Sequence, residues 1–76
     1  MKQINNSECL NDFGQYIRTE RERQKIYQTE MAQMLGISQA YYSMIEQGKR
    51  EIDLVLAIRL CSILKLSLQD FVTKYI

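Results

Sequence analysis

Gln39, Ala40, Ser43, Met44 and Gln47 fall on one side of a short helical segment at 100° per residue. Together they offer two amides, a hydroxyl, a methyl and a thioether, with no carboxylate among them. An amide donates and accepts at once, the pattern that pairs with N6 and N7 of adenine, and a methyl packs on the methyl of thymine. The chemistry of this face is recognition. Catalysis has little to build on: the chain has no histidine, no C-x-x-C pair and no nucleophile beside a base, so metal sites and an enzyme are not expected. No cofactor is expected either. Gln, Ala and Ser are also ordinary on a short solvated helix, so the face by itself leaves both readings open.

A reading face has to be delivered, and residues 28–48, QTEMAQMLGISQAYYSMIEQG, contain the means. A helix over 28–35 buries Met31, Ala32 and Leu35 and stops at Gly36. Ile37 plugs the turn and Ser38 caps a second helix over 39–47. In that helix Tyr42 and Ile45 point inward with Tyr41 at their edge, and Gly48 closes it. A short helix, a glycine turn and a helix with a small, uncharged outer face place that helix in the major groove of DNA. Gln28 opens the first of the pair, where free N–H groups and the positive dipole end suit a phosphate. Glu46 would repel phosphate. Either it turns inward to pair with an arginine of the first helix, N-terminal to this pair, or it is a solvated glutamate.

The flanking elements follow the same period of three and four. A first helix over 10–24 buries Leu10, Phe13 and Ile17, with Ser7 or Asn11 as its cap. A fourth over 53–64 has two apolar stripes, one of Leu54, Ala57, Ile58, Cys61 and Leu64, the other of Leu56, Leu60 and Ile63. Ser67 caps a last helix holding Leu68, Phe71, Val72, Tyr75 and Ile76. With no alternating segments, the expected fold is all-α, a compact five-helix bundle with a helix-turn-helix in its second and third helices. Residues 1–9 are expected as an N-terminal extension and 10–76 as a single domain, since proline is absent and no linker or repeat is present.

At 76 residues with 46% apolar and 25% charged side chains, the chain is neither disordered nor membrane-spanning. Its longest apolar run, 54–58, is too short for a bilayer. The N-terminal MKQINNSECL has no apolar signal core, so a cytoplasmic location is expected. Cys9 and Cys61 are expected as free thiols. Net charge is only +1, but Arg18, Arg21, Arg23 and Lys25 cluster before the motif and Lys49 and Arg50 follow it. Placement matters more to a phosphate backbone than the total.

QTEMAQMLGIS and YYSMIEQGKR resemble the phage-repressor-like (lambda-repressor-type, Xre/Cro) helix-turn-helix family of bacterial and phage regulators. The resemblance covers about 13–71. It implies base reading by Gln39, Ala40, Ser43 and Met44, and phosphate contacts by Gln28, Gln47, Lys49 and Arg50. Tyr27, Tyr41 and Arg18 join the expected phosphate-contacting set. It further implies a structural ion pair between Arg21 and Glu46. Five positions depart from the family pattern. Tyr27 replaces a Ser or Thr cap, Glu20 a core leucine, and Lys65 a glycine after helix four. Ala40 and Met44 stand where longer polar readers are common, which shifts weight to DNA shape.

The implied function is a sequence-specific regulator of transcription, a repressor bound to double-stranded DNA at a palindromic operator. Half-sites of such operators lie about one turn, ~34 Å, apart. A homodimer is expected, with Leu56, Leu60, Ile63, Phe71, Val72, Tyr75 and Ile76 as its interface; the alternative is that this tail folds back to seal the core. There is no room for a small-molecule domain, so a signal would act on dimerisation or through a regulatory partner protein. An antitoxin or restriction–modification controller fits the same domain. A protein-interaction module without DNA binding is the alternative from a different class.

Overall fold

The computed structural model describes residues 4–76. Among these, the elements in chain order are α1 (Asn6–Arg23), α2 (Gln28–Leu35), α3 (Gln39–Glu46), α4 (Leu54–Leu64) and α5 (Leu68–Val72), the last followed by a 3-10 turn, Thr73–Tyr75. No described residue is in a strand. The fold is the expected all-α bundle.

Side chains fix where most helices begin. Ser38 Oγ accepts from Tyr41 N, Asp53 Oδ1 from Leu56 N, and Ser67 Oγ from Asp70 N, each meeting a donor that the first helical turn leaves unpaired. In α1 the cap is Asn5, whose Oδ1 accepts from Glu8 N at 3.0 Å. The helix therefore starts ahead of both Ser7 and Asn11, four residues before the expected Leu10. Its inward face shifts accordingly. Leu10 is only half-buried, and Cys9 and Tyr16 pack beside Phe13 and Ile17. At α2 the Tyr27 phenol makes no cap; instead Glu30 Oε1 accepts from Tyr27 N at 2.9 Å, half of a capping box.

The helix ends share one device. At the close of α1, α2, α3 and α4 the residues Lys25, Gly36, Gly48 and Lys65 take φ of 60°, 71°, 72° and 59°. In each case the next N–H folds back onto a carbonyl five residues earlier: Ile26 to Arg21, Ile37 to Ala32, Lys49 to Met44 and Leu66 to Cys61. This is the Schellman closure, in which an apolar side chain just past the turn usually packs on the last helical turn. Ile26, Ile37 and Leu66 stand at that place and pack against the core. The closure of α3 differs, because Lys49 stands in that place.

Tyr42, Ile17, Met31, Leu60 and Leu64 are the largest fully buried side chains. α1 packs on α3 and α4, and α2 on α3 and α4. The α1–α3 approach is set by glycine. A Cβ on Gly14 would lie 2.7 Å from the Ile45 carbonyl oxygen and nearer still to that of Glu46, and one on Gly48 would lie 2.7 Å from Asn11 Cα. No larger residue lets these backbones come so close.

The C-terminal segment folds back. Phe71 is buried against Phe13, Tyr16 and Tyr75, with ring centroids 5.2, 5.4 and 5.5 Å away. Tyr16 donates to the Ser67 carbonyl at 2.9 Å and Tyr75 to Asp12 Oδ2 at 2.5 Å. Three expected interface residues, Leu56, Leu60 and Phe71, are thus inside the core of the single chain. The sequence had two apolar stripes on α4, and the structure buries a mixture of both: Leu56, Ala57, Leu60, Cys61 and Leu64. Ile63 and Tyr75 are half-buried against that core. Val72 and Ile76 are exposed, as are Leu54, Val55 and Ile58.

Glu20, at a position where a buried carboxylate would be costly, finds partners at the rim. Arg23 and Gln24 donate to it, and the same Gln24 amide donates to the Leu64 carbonyl at 2.8 Å. The bond from Arg23, then that from Gln24, lowers the Glu20 carboxyl to about 2. Lys65 adopts the left-handed turn that a glycine would take more easily. Cys61 is buried and Cys9 half-buried, both as free thiols. No helix among the described residues is long and apolar enough to cross a membrane.

Candidate nucleic-acid interface

α3 is held by its apolar residues and presents its polar ones. Tyr42 and Ile45 are buried, whereas Gln39, Ala40 and Gln47 are exposed and Ser43 and Met44 half-exposed. The outward surface is therefore the uncharged one read from the sequence. Within it Gln47 Nε2 donates to Ser43 Oγ at 2.9 Å. The Ser43 hydroxyl keeps its own proton to donate, and Gln47 keeps a carbonyl to accept.

Beneath this face, Glu46 joins three helices. Its carboxylate takes two bonds from Arg21 of α1, Nε at 2.6 Å and Nη2 at 3.1 Å, and one from Gln28 Nε2 of α2 at 2.9 Å. Arg21 is 8% exposed and Glu46 5%, so the pair is buried, and the inward alternative for Glu46 holds. Arg21 Nη1 also donates to the Ile26 carbonyl at 2.6 Å, just beyond the end of α1. Burial alone would push the Glu46 carboxyl up, but the bonds it receives, chiefly from Arg21, leave it below the ordinary value. The Tyr42 hydroxyl is buried beside this carboxylate without reaching any partner in hydrogen-bonding geometry. Burial first, and then the carboxylate, pushes its phenol well above 10.

Gln28 is thus half-buried and tied to Glu46, with one amide hydrogen left for an outside acceptor. Tyr27 beside it is 73% exposed. The basic cluster before the motif is less available than its sequence implies. Arg18 pairs with Glu22 at 3.3 Å, Arg21 with Glu46, and Arg23 with Glu20. Each cation has a carboxylate on it, and Arg21 serves the fold. Among the described residues Lys25, Lys49 and Arg50 have no carboxylate within 4.0 Å. Two of these three flank the C-terminal end of α3, where the Schellman closure carries Lys49 instead of an apolar plug.

Two interactions at this surface were not foreseen: the Ser43–Gln47 bond and a cation–aromatic contact of Arg50 with the Tyr41 ring. The first has a spacing signal, since residues four apart share a helix face. The second has none, because it depends on how the chain turns at Gly48.

A domain built of helices that presents an uncharged polar helix after a glycine turn is of the DNA-binding helix-turn-helix class. The chain belongs to the Xre/Cro-type, lambda-repressor-like helix-turn-helix family, which it matches over residues 17–71. The family's role is DNA binding in transcription regulation. No curated protein matches the chain in a sequence comparison.

Proposed function

We propose that this protein is a sequence-specific repressor that reads a palindromic operator as a homodimer, with Gln39, Ala40, Ser43 and Met44 of α3 at the base edges. The observation that carries the reading is the uncharged, outward face of a helix whose buried side is locked by Glu46. Gln28, Gln47, Lys49 and Arg50 are assigned to phosphates around it, with Tyr27 and Arg18 at the margin. Arg18 has to leave Glu22 to take part, which is a small barrier because exposed pairs contribute only ~0–1 kcal/mol. A regulator of this kind works in the cytoplasm.

The second copy is assigned to the α4 surface of Leu54, Val55 and Ile58, which are 68, 65 and 50% exposed. These side chains are apolar and adjacent, and a two-fold axis would set each against its own kind. The surface replaces the buried Leu56 and Leu60 as the interface.

The test is selection of duplexes from a random-sequence pool, followed by titration of the enriched duplex at low and moderate salt. The expected result is an enriched sequence with two-fold symmetric halves about one turn apart, bound in a salt-sensitive way. Failure to enrich any sequence, with no binding at low salt, would overturn the reading in favour of a protein-interaction module. An enriched but asymmetric site would remove the dimer and keep the DNA binding.

A further inference from the structure

Gly48 turns the chain back at the end of α3 with φ 72°. Arg50 consequently returns over the first turn of that helix, its guanidinium carbon 5.2 Å from the centroid of the Tyr41 ring. An aromatic face attracts a cation within about 6 Å. The ring is itself constrained. It is half-buried against the core, and its hydroxyl faces the Glu51 carbonyl at 3.5 Å. Arg50 has no carboxylate partner among the described residues, so the Tyr41 ring is the group that holds its guanidinium there.

We propose that Tyr41 is a positioning residue for DNA binding: its ring is a platform that holds the Arg50 guanidinium ready to grip a backbone phosphate beside α3. The proposal rests on the DNA-binding reading above and assigns Tyr41 a role other than direct phosphate contact through its phenol. A cation–aromatic contact draws the guanidinium to the ring without using its N–H groups on another acceptor, so its edges stay available. Those edges match two phosphate oxygens at once, which the point charge of lysine cannot do. A side chain ordered before binding also loses less freedom when the phosphate arrives. The direction of the hydroxyl, toward the chain's own Glu51 carbonyl, fits a platform better than a phosphate donor.

The experiment is a set of titrations on the duplex enriched by the wild-type protein, with Y41F, Y41L, R50A, R50K and the double variant Y41L/R50A. Circular dichroism checks that each variant is folded at the temperature used. Y41F should bind within about twofold of wild type. Y41L should bind about two- to fivefold more weakly, in line with an exposed cation–aromatic contact. R50A should lose more and flatten the dependence on salt by about one phosphate contact. The double variant should be no weaker than R50A alone, because the platform has nothing left to hold. R50K should recover only part of the loss.

Equal weakening by Y41F and Y41L would overturn the proposal, since the hydroxyl would then be doing the binding. So would additive losses in the double variant, or R50K binding as well as wild type. If Y41L fails to fold, R50K and the proton shifts of the Arg50 side chain still decide the matter. Upfield ring-current shifts on its δ-methylene in the wild type, removed by no other cause, support the contact, and ordinary shifts overturn it. Wild type that enriches no duplex defeats the DNA-binding reading and this proposal together; a wild type that binds while R50A binds equally well defeats this one alone.

Discussion

Gly14 of α1 lies so close to the backbone carbonyl of Glu46 in α3 that the two helices leave no room for a methyl group between them. The same Glu46 takes two side-chain bonds from Arg21, two turns further along α1. Backbone contact and ion pair therefore locate the end of α3 independently.

Gly14→Ala should destabilise the fold by about 3 kcal/mol or more, at or above the upper end for overpacked sites, because the neighbour is backbone and cannot swing away. Gly36→Ala is the comparison. Nothing lies within 4 Å of a Cβ there, so only the strain of a positive φ remains, about 1–2 kcal/mol. Denaturant midpoints of the two variants measure the difference. Equal losses would mean that α1 can slide away from α3.

The Arg21–Glu46 pair predicts a specific sensitivity to acid. Glu46 has its carboxyl lowered from 4.5 and Glu20 has its own lowered to about 2. A lowered folded-state value means that the stabilisation is complete above the unfolded value and is lost as pH falls through the folded one. The melting temperature should hold down to about pH 4.5 and fall from there toward about pH 2. Glu46→Ala should cost ~3–5 kcal/mol at neutral pH, since Arg21 would be left buried and unpaired. An unchanged melting temperature in that variant would show that the pair contributes nothing.

Much of this was legible in the sequence because local rules and tertiary packing agree. Ser38, Gly36 and Gly48 announce their turns by type, and the uncharged face of 39–47 is visible from spacing alone. The failures occur where a residue type is unusual for its backbone or where two faces are equally apolar. Asn5 was missed as a cap because Ser7 and Asn11 are equally good candidates. On α4 nearly every side is apolar, so periodicity could not say that Leu56 and Leu60 face inward while Leu54 and Ile58 face out. Sequence proximity also overstated the basic cluster, since the carboxylates that cover Arg18, Arg21 and Arg23 are set by helix geometry.

Lys65→Gly should stabilise the protein by about 0.5–1 kcal/mol. Lysine at φ 59° carries the left-handed penalty, and glycine removes it while adding some freedom to the unfolded chain. Lys65 has no salt bridge among the described residues, so little else changes. A lower denaturant midpoint in the variant would indicate that its aliphatic stem covers core surface.

Val55→Glu with Ile58→Glu should give a folded monomer. Both residues are at least half-exposed, so the charges cost little in the single chain but would face each other across the two-fold axis of the proposed dimer. Sedimentation should show loss of the dimer with helical content retained. Dimers that persist in the variant would place the interface elsewhere, with Val72 and Ile76 the next exposed candidates.

Gln39→Ala tests the reading helix directly. Gln39 is exposed at the N-terminal end of α3, so the fold should be indifferent to it. If its amide pairs with a base edge, binding to the enriched duplex should weaken by ~1–3 kcal/mol, while binding to scrambled duplex stays as it was. The salt dependence should also be unchanged, because no phosphate contact is lost. Parallel weakening on both duplexes would move Gln39 from the base edges to the backbone. It would leave Ser43, with its hydroxyl held by Gln47, as the principal polar reader of α3.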